Sequence, residues 1–368
     1  MVLTHALQAA GKLWPLYRYG RATVGGVLRE LFGSDEAIKL ALAANIGYYH
    51  DDPDRMLFLR YAIPQASYLA GGGHYVRGGS QALTDRLVAL IREAGGTLET
   101  GREADGIALA DGAIAGVSHH ARGGADARED AAPVIFGNAA PQLLAAMLPQ
   151  DRRAAFLTAY AARPSSISLW TMSFGITRPP REFGLQSYST FIVPDWMHSL
   201  SQMREATTLM AQAPSGRVPY YVVVDFNRID SGLNETGPFI LSLCSGDHLD
   251  NWASLSPEAV KARKAQWMDC VIADLDQRFP GLANAVTHRE MATAQTMQHY
   301  LNTPGGAVYG FAPEGTLSDA FKRGSRTAIK GLWLASAYAQ SGGFTGAMFG
   351  GAQAAEEALQ DVGARSAA

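Results

Sequence analysis

Between Gly331 and Leu359 the sequence places an apolar run, a glycine-rich turn and a small-residue helix in immediate succession. Leu332–Ala335 has the composition of a short buried strand. We predict a glycine loop over Ser341–Gly346 and a helix over Ala347–Leu359. This order presents the free N–H groups of a helix N-terminus to a ligand, and glycine permits close approach because it has no Cβ. A glycine loop before a helix is also common as a simple turn, so both interpretations are open.

A second stretch, far upstream, also combines predicted helices, turns and strands. A helix with Ser80 as its N-cap is predicted to end at Gly95-Gly96. A strand over Thr97–Thr100 follows, and then a hairpin whose turn is Asp111-Gly112. The run Pro133–Ala139 predicts another buried strand that ends in a turn of small residues.

Five motifs occur in one order from Gly71 to Leu359. They are GGGHYVRGGSQALTDRLVALIREAGGTLETGREADGI, AIAGV, PVIFGNAAPQLLAAMLP, NTPGGAVYGFAP and GLWLASAYAQSGGFTGAMFGGAQAAEEAL. On these motifs the chain resembles the phytoene desaturase-like FAD-dependent oxidoreductases. That family includes retinol saturase-like proteins and is related to the amine oxidases.

The resemblance implies an α/β (α+β) fold with two parts. One is an incomplete FAD-binding Rossmann-like domain, and the other is a substrate domain with a mostly antiparallel sheet and helices. The expected boundaries are a helical segment of the substrate or cap region at 1–70, the adenine-side part of the FAD domain at 71–140, the substrate domain at 141–310 and the flavin-contacting part at 311–368.

The middle of the chain has clear strand and helix signals of its own. Ser166–Phe174 alternates polar and apolar residues with the period of a half-buried strand. Tyr188–Val193, Tyr220–Phe226 and Phe239–Cys244 are further strand candidates. Pro257–Phe279 reads as a long helix. We therefore predict a mostly antiparallel sheet with one face turned to a cavity.

The resemblance also implies which residues contact the cofactor. Backbone near the adenine maps onto Ala104, and the flavin ring is expected against Gly342–Ala347, with Thr345 as a hydrogen-bonding group and Phe344 as a wall. The expected cofactor-binding residues are Ala104, Ser336, Gly342, Gly343, Phe344, Thr345, Gly346 and Ala347. The sequence identifies no catalytic residue. Few acid–base motifs are needed when a flavin performs the hard step, because the protein then supplies orientation and exclusion of water.

One element that the family has is missing from the sequence. Its members hold the FAD pyrophosphate with a strand–GxGxxG–helix segment followed by an acidic residue. Neither Gly71–Gly73 nor Gly305–Gly310 has that spacing. We therefore expect weak FAD binding, or none, by this chain alone. A truncated gene product, a split enzyme whose partner chain carries the segment, and a homologue that has lost FAD are the open explanations.

Composition excludes several classes of function. A net charge of −3 and a pI near 6.3 give no sign of nucleic-acid binding. Two cysteines, Cys244 and Cys270, favour a reducing compartment, and a cytoplasmic protein is expected because no signal peptide or membrane span is apparent. His50–Asp54 and His119-His120 are expected to lie in solvated loops without metal. Basic and aromatic residues alternate from Lys12 to Arg29, which indicates either peripheral membrane contact or a packed helix.

Two functions follow as hypotheses. The first is a flavoenzyme, or part of one, that oxidises, reduces or isomerises C–C bonds of an apolar, possibly isoprenoid or carotenoid-like substrate. The alternative is a non-catalytic lipid-binding or scaffold subunit that has lost FAD.

Overall fold

The structure is a computed structural model that describes residues 13–233, 236–316, 319 and 324–366; Lys12 lies outside the described residues. The chain divides into two compact units. Unit 1 comprises Met1–Leu87, Ile167–Tyr300 and Pro313–Leu317, and unit 2 comprises Val88–Ser166, Leu301–Ala312 and Ser318–Ala368. The functional roles assigned to the four sequence ranges stay predictions.

Both units contain helices. Their bounds are Val24–Phe32, Glu36–Ala43, Phe58–Gly71, Gly79–Glu93, Pro141–Met147, Gln150–Thr158, Met203–Thr208, Pro257–Arg278, Leu282–Ala285, Ala294–Leu301 and Gly343–Ser366. Local signals define several ends. Asp35 Oδ1 accepts the Ile38 N–H at 3.1 Å, and Ser256 Oγ accepts the Ala259 N–H at 3.2 Å, so each caps its helix.

Unit 1 contains five strands: β5 (Ser168–Ile176), β6 (Ser189–Ile192), β7 (Tyr221–Asp225), β8 (Phe239–Asp247) and β9 (Val286–Ala292). They form an antiparallel sheet of order β6-β7-β8-β5-β9. One face packs its alternate residues, such as Trp170, against Trp267 and Val271 of the helix Pro257–Arg278. The four predicted strands and the antiparallel arrangement are confirmed.

Unit 2 combines two small sheets. Strands β1 (Arg102–Ala110), β2 (Ala113–Ala121) and β3 (Arg128–Ala131) form an antiparallel sheet, and β4 (Ile135–Gly137) pairs in parallel with β10 (Leu332–Leu334). The predicted hairpin turn is confirmed. Asp111 and Gly112 both have positive φ, +51° and +76°, as a two-residue turn matched to strand twist requires.

Four local predictions about these elements are wrong. Ser80 lies inside the helix Gly79–Glu93 instead of capping it. Thr97–Thr100 is not a strand, and pairing starts only at Arg102. His119-His120 lies within β2 rather than in a solvated loop, because β3 pairs there: His119 lies opposite Arg128. The last helix begins at Gly343 instead of Ala347, and Gly346, predicted as a loop residue, packs closely against Ser341 inside its first turn.

The buried carboxylate of Asp247 joins three segments of unit 1. Asp247 ends β8 and is fully buried. Its oxygens accept the Trp252 indole N–H at 2.9 Å, the Asn251 side-chain N–H at 2.8 Å and the backbone N–H of Ala294 at 2.8 Å. The end of β8, the turn after it and the start of the helix Ala294–Leu301 therefore depend on one acceptor group.

Replacing this acceptor should destabilise unit 1. We expect Asp247→Ala to lower the free energy of unfolding by about 2–4 kcal/mol, because each buried donor left without a partner costs about 1–3 kcal/mol. Urea denaturation measures the loss. Asp250→Ala is the matched control, since Asp250 is exposed, and we expect it to change stability by less than about 0.5 kcal/mol. Equal effects of the two changes would refute this role.

Candidate functional site

The first feature of the candidate site is a buried turn after β10. Ser336 is 5% exposed. Its hydroxyl oxygen accepts the Tyr338 N–H at 3.3 Å, and its carbonyl accepts the Ala339 N–H at 2.9 Å. Both interactions hold the backbone that leads into the last helix, so Ser336 has a structural role in the turn.

Glycines allow the last helix to lie directly against that turn. A methyl group built on Gly346 would overlap the Ser341 carbonyl oxygen, and one on Gly350 would lie 2.5 Å from the Ser336 carbonyl oxygen. A methyl group on Gly342 would lie 2.6 Å from Cβ of Tyr309. The backbone is therefore close-packed at Gly342, Gly346 and Gly350, each against a different neighbour, and leaves no room for a side chain at these positions.

The opposite side of the first helical turn is open. Gly343 has a φ of +78°, and a methyl group built there would have no atom within 4 Å. Phe344 is 66% exposed, Thr345 is exposed and Ala347 is half-buried. The first N–H groups of a helix have no intrahelical acceptor. This turn can therefore offer a ligand its free backbone N–H groups, the Phe344 ring and the Thr345 hydroxyl.

Ala104 occupies a different element. It is exposed on β1 and pairs with His119, at the end of the hairpin remote from the turn. The turn end of the hairpin contacts the start of β10, where the Ile114 N–H donates to the Lys330 carbonyl at 2.9 Å. That Ala104 and the glycine turn face one ligand stays a prediction.

The parallel strand pair of unit 2 has an open edge. β4 pairs with β10 on one side, and no described strand pairs with its other side. Phe136 at the centre of β4 is 47% exposed. Parallel sheets are normally buried on both faces and extended by further strands. The edge of β4 is therefore a place where another extended segment could add.

Unit 1 has a small apolar cavity over one face of its sheet. Leu169, Val222 and Cys244 line it from the sheet, and Gly47 and Tyr48 cover it. Its volume of about 10 Å³ suits one water molecule, so a larger ligand requires the covering segment to move. Two further lining residues, Tyr220 and Ser245, bring buried hydroxyl groups to the cavity.

Cys244 and His248 do not form a nucleophile pair. Burial raises the pKa of the Cys244 thiol to about 11, which keeps it protonated at neutral pH. His248 instead contacts the buried Asp51, with Nε2 at 2.7 Å from Oδ2. The arrangement gives no support to a cysteine hydrolase.

The prediction of a solvated loop at His50–Asp54 is wrong for its first residues. His50 and Asp51 are 6% and 5% exposed. Thr207 donates its hydroxyl to Asp51 at 3.0 Å, and His50 Nε2 lies 2.8 Å from Glu314 Oε1. Burial acts to raise the pKa of Asp51, but the imidazoles of His248 and His50 outweigh it and hold that pKa well below its usual range. Among the described residues no group of His, Cys, Asp or Glu side chains is arranged to hold a metal.

The fold of the chain is similar to folds of known structure. A mixed fold with a glycine-rich strand–turn–helix, a three-stranded antiparallel sheet and a separate five-stranded antiparallel sheet matches oxidoreductases of known structure. The chain is similar to an oxidoreductase from Methanosarcina mazei, with a TM-score of 0.60, 16% identity and coverage of 95% of this chain and 71% of that one. It is also similar to a putrescine oxidase, with a TM-score of 0.59, 16% identity and coverage of 94% and 70%. These likenesses establish the fold.

Two curated relatives extend the similarity to sequence. Prolycopene isomerase from Arabidopsis thaliana is 25% identical over 305 residues, covering 80% of this chain and 47% of that protein. All-trans-retinol 13,14-reductase from Danio rerio is 22% identical over 365 residues, covering 93% and 58%. The chain thus spans about half the length of these relatives. No protein-family model matches it. The resemblance to phytoene desaturase-like and retinol saturase-like oxidoreductases is confirmed by these relatives.

The close packing at Gly346 makes a sharp prediction. Gly346→Ala should lower the free energy of unfolding by about 1–3 kcal/mol, because the new methyl group overlaps the Ser341 carbonyl and the backbone must shift. Gly351→Ala is the matched control: a methyl group there meets no atom within 4 Å. Removing a helical glycine should stabilise by about 0.5–1 kcal/mol. Thermal unfolding separates the two, and a stabilising Gly346→Ala would contradict the packing.

The lowered pKa of Asp51 makes the stability of unit 1 dependent on pH. Its contribution is present above the unfolded-state pKa of about 4 and is lost as the pH falls below it. Asp51→Asn removes this contribution, so stability should fall less steeply on acidification than in the unsubstituted chain. Urea unfolding between about pH 3 and pH 7 tests this, with the exposed Asp195→Asn as control. Parallel pH profiles for all three proteins would show that Asp51 is uncoupled from folding.

Proposed function

We propose that this chain is part of an FAD-dependent oxidoreductase that acts on C–C bonds of an apolar, isoprenoid- or carotenoid-like substrate. The observation that carries the proposal is the open first turn of the helix Gly343–Ser366. It follows a parallel strand and leaves space around Gly343. The substrate class is supported by the relatives, which are named for prolycopene and all-trans-retinol.

The residues present at the turn fit a planar, polar-edged group. Free N–H groups of the first turn would meet oxygen or nitrogen acceptors of the ring, with the Thr345 hydroxyl beside them and Phe344 against its face. No ionisable side chain occurs from Ser341 to Gly350. Bound there, a flavin would supply hydride transfer. The chain would orient the substrate and exclude water, and Ala104 would lie towards the adenine.

The clamp for the pyrophosphate is proposed to come from a strand–GxGxxG–helix segment that is absent from these 368 residues. Its strand would add in parallel to the open edge of β4, where the backbone lacks a partner among the described residues. Phe136 would then be covered by the added helix or strand. The main-chain hydrogen bonds of such an addition give affinity, and the side-chain contacts give selectivity.

Flavin binding tests this arrangement. The chain alone, titrated with FAD and followed by flavin fluorescence, should bind weakly or not at all. A second polypeptide carrying the strand–GxGxxG–helix segment of a curated relative should raise affinity at least about tenfold. Phe136→Lys should abolish this gain. Ile240→Lys is the matched control, since Ile240 has a similar exposure of 43% but lies in β8 of unit 1. A stoichiometric yellow protein without any partner would contradict the proposal.

A non-catalytic lipid-binding subunit is the alternative. The observation in its favour is the apolar cavity of unit 1, which exists without flavin and would admit a lipid once the segment of Gly47 and Tyr48 moves away from it. Mass spectrometry of the purified chain separates the two. A co-purified lipid, together with no FAD binding even after the segment is added, would favour the alternative.

A further inference from the structure

Unit 1 has a polar cleft at one end of its sheet, where β5 and β7 end and β8 begins. The loop after β5, the turn at the end of β7 and Phe239, the first residue of β8, line it. Its volume is about 270 Å³, close to the lower limit of about 300 Å³ for small-molecule sites. All of its described lining residues belong to the range Ile167–Tyr300 of unit 1, so unit 2 contributes none of them.

A buried carboxylate at this cleft has one oxygen without a partner. Asp225, the last residue of β7, is 1% exposed, and its backbone N–H donates to the Tyr188 carbonyl at 2.8 Å. Its Oδ1 accepts the backbone N–H of Asn227 at 2.9 Å and the side-chain amide of Asn227 at 3.2 Å. Its Oδ2 is also buried, and no donor in the described part of the chain reaches it. Burying an unpaired polar atom is costly, so a donor on a bound molecule would stabilise this site.

The cleft is also lined by two arginines, Arg181 and Arg228, and both are exposed. Neither of them forms an ion pair with a carboxylate among the residues that the structure describes. Arg178, just before the lining segment, differs: its Nε lies 2.8 Å from Glu182 Oε2, so its charge is already paired. The two guanidinium groups at the cleft therefore remain available to an anion.

The charges of the lining side chains restrict the kind of ligand. Two guanidinium groups and one carboxylate leave one positive charge, which favours an anion and repels a metal ion. Guanidinium groups bind phosphate and carboxylate through paired hydrogen bonds. The free oxygen of Asp225 requires a donor on the same molecule. A hydroxyl group supplies one without charge, whereas an ammonium group would make the ligand zwitterionic and leave the positive charge of the cleft uncompensated. Phe226 and Phe239 add apolar surface for a carbon skeleton.

We propose that this cleft binds a small hydroxylated anion, such as the phosphate ester of a polyol. Arg181 and Arg228 hold the anionic group, and a hydroxyl of the ligand donates to Asp225 Oδ2. The buried carboxylate gives selectivity, because an anion without a donor leaves its free oxygen unpaired. The exposed arginines give most of the attraction. This proposal rests on unit 1 alone and does not depend on flavin binding.

Isothermal titration calorimetry of the full chain with three probes tests the proposal. Glycerol 3-phosphate carries both the anion and the hydroxyls, propyl phosphate carries the anion alone, and glycerol carries the hydroxyls alone. Glycerol 3-phosphate should bind at least about tenfold more tightly than propyl phosphate, because a hydrogen bond to a charged group is lost. Glycerol should show no saturable binding up to about 10 mM. Equal affinity for the two esters, or no saturable binding of either, would overturn the proposal.

Substitutions locate the binding. Arg181→Gln and Arg228→Gln should each weaken binding of glycerol 3-phosphate about five- to tenfold. Both arginines are exposed, so thermal unfolding should be unchanged. Arg178→Gln is the matched control, since Arg178 is exposed but already paired with Glu182, and it should bind like the unsubstituted chain.

Asp225→Ala should bring the affinities for glycerol 3-phosphate and propyl phosphate together, because the acceptor for the hydroxyl is removed. If this variant does not fold, the comparison of the two esters on the unsubstituted chain decides alone. Binding that neither arginine substitution weakens would place the ligand elsewhere and overturn the proposal. Binding of Ca²⁺ that Asp225→Ala abolishes would also overturn it, because the carboxylate would then serve a cation.

Discussion

The candidate site depends on one close approach of backbone to backbone. The helix Gly343–Ser366 lies against the carbonyl groups of Ser336 and Ser341, and only glycine at 346 and 350 leaves room for them. This contact directs the packed side of the first turns toward the protein. Its consequence is that Gly343 and its neighbours are left open on the other side. The open space around Gly343, which suits a planar ligand, thus follows from the packing of the helix on its other side.

Local signals predicted the elements whose causes are local. The positive φ at Asp111 and Gly112, the cap at Asp35 and the alternation along β5 each depend on residues a few positions apart. β9 was missed because its middle residues are exposed and polar, so no alternation marks it. The start of the last helix was misplaced for a different reason. Glycine in a sequence is typical of a loop, and the packing of Gly346 against the Ser341 carbonyl exists only in the folded chain.

The difference between local and long-range contacts also explains which site residues the sequence predicted. Gly342 to Ala347 were predicted as one site because they are adjacent in sequence, and Ala104 was predicted from the resemblance. No local sequence pattern marks the buried group around Asp51. His50 contacts Glu314, which lies 264 residues further along the chain, and Asp51 contacts His248, which lies 197 residues further along. Tyr220 and Ser245 likewise meet only in the folded unit. An acidic turn read as solvated became buried because its partners arrive from three other segments.

The open edge of β4 restricts what can cover it. No described strand pairs with this edge. Lipid cannot supply hydrogen-bond partners for a strand edge, because hydrocarbon leaves each main-chain group unpaired at a cost of several kcal/mol. A polypeptide strand can supply them. This difference is the physical reason for proposing that a further strand, and not an apolar ligand, adds at this edge.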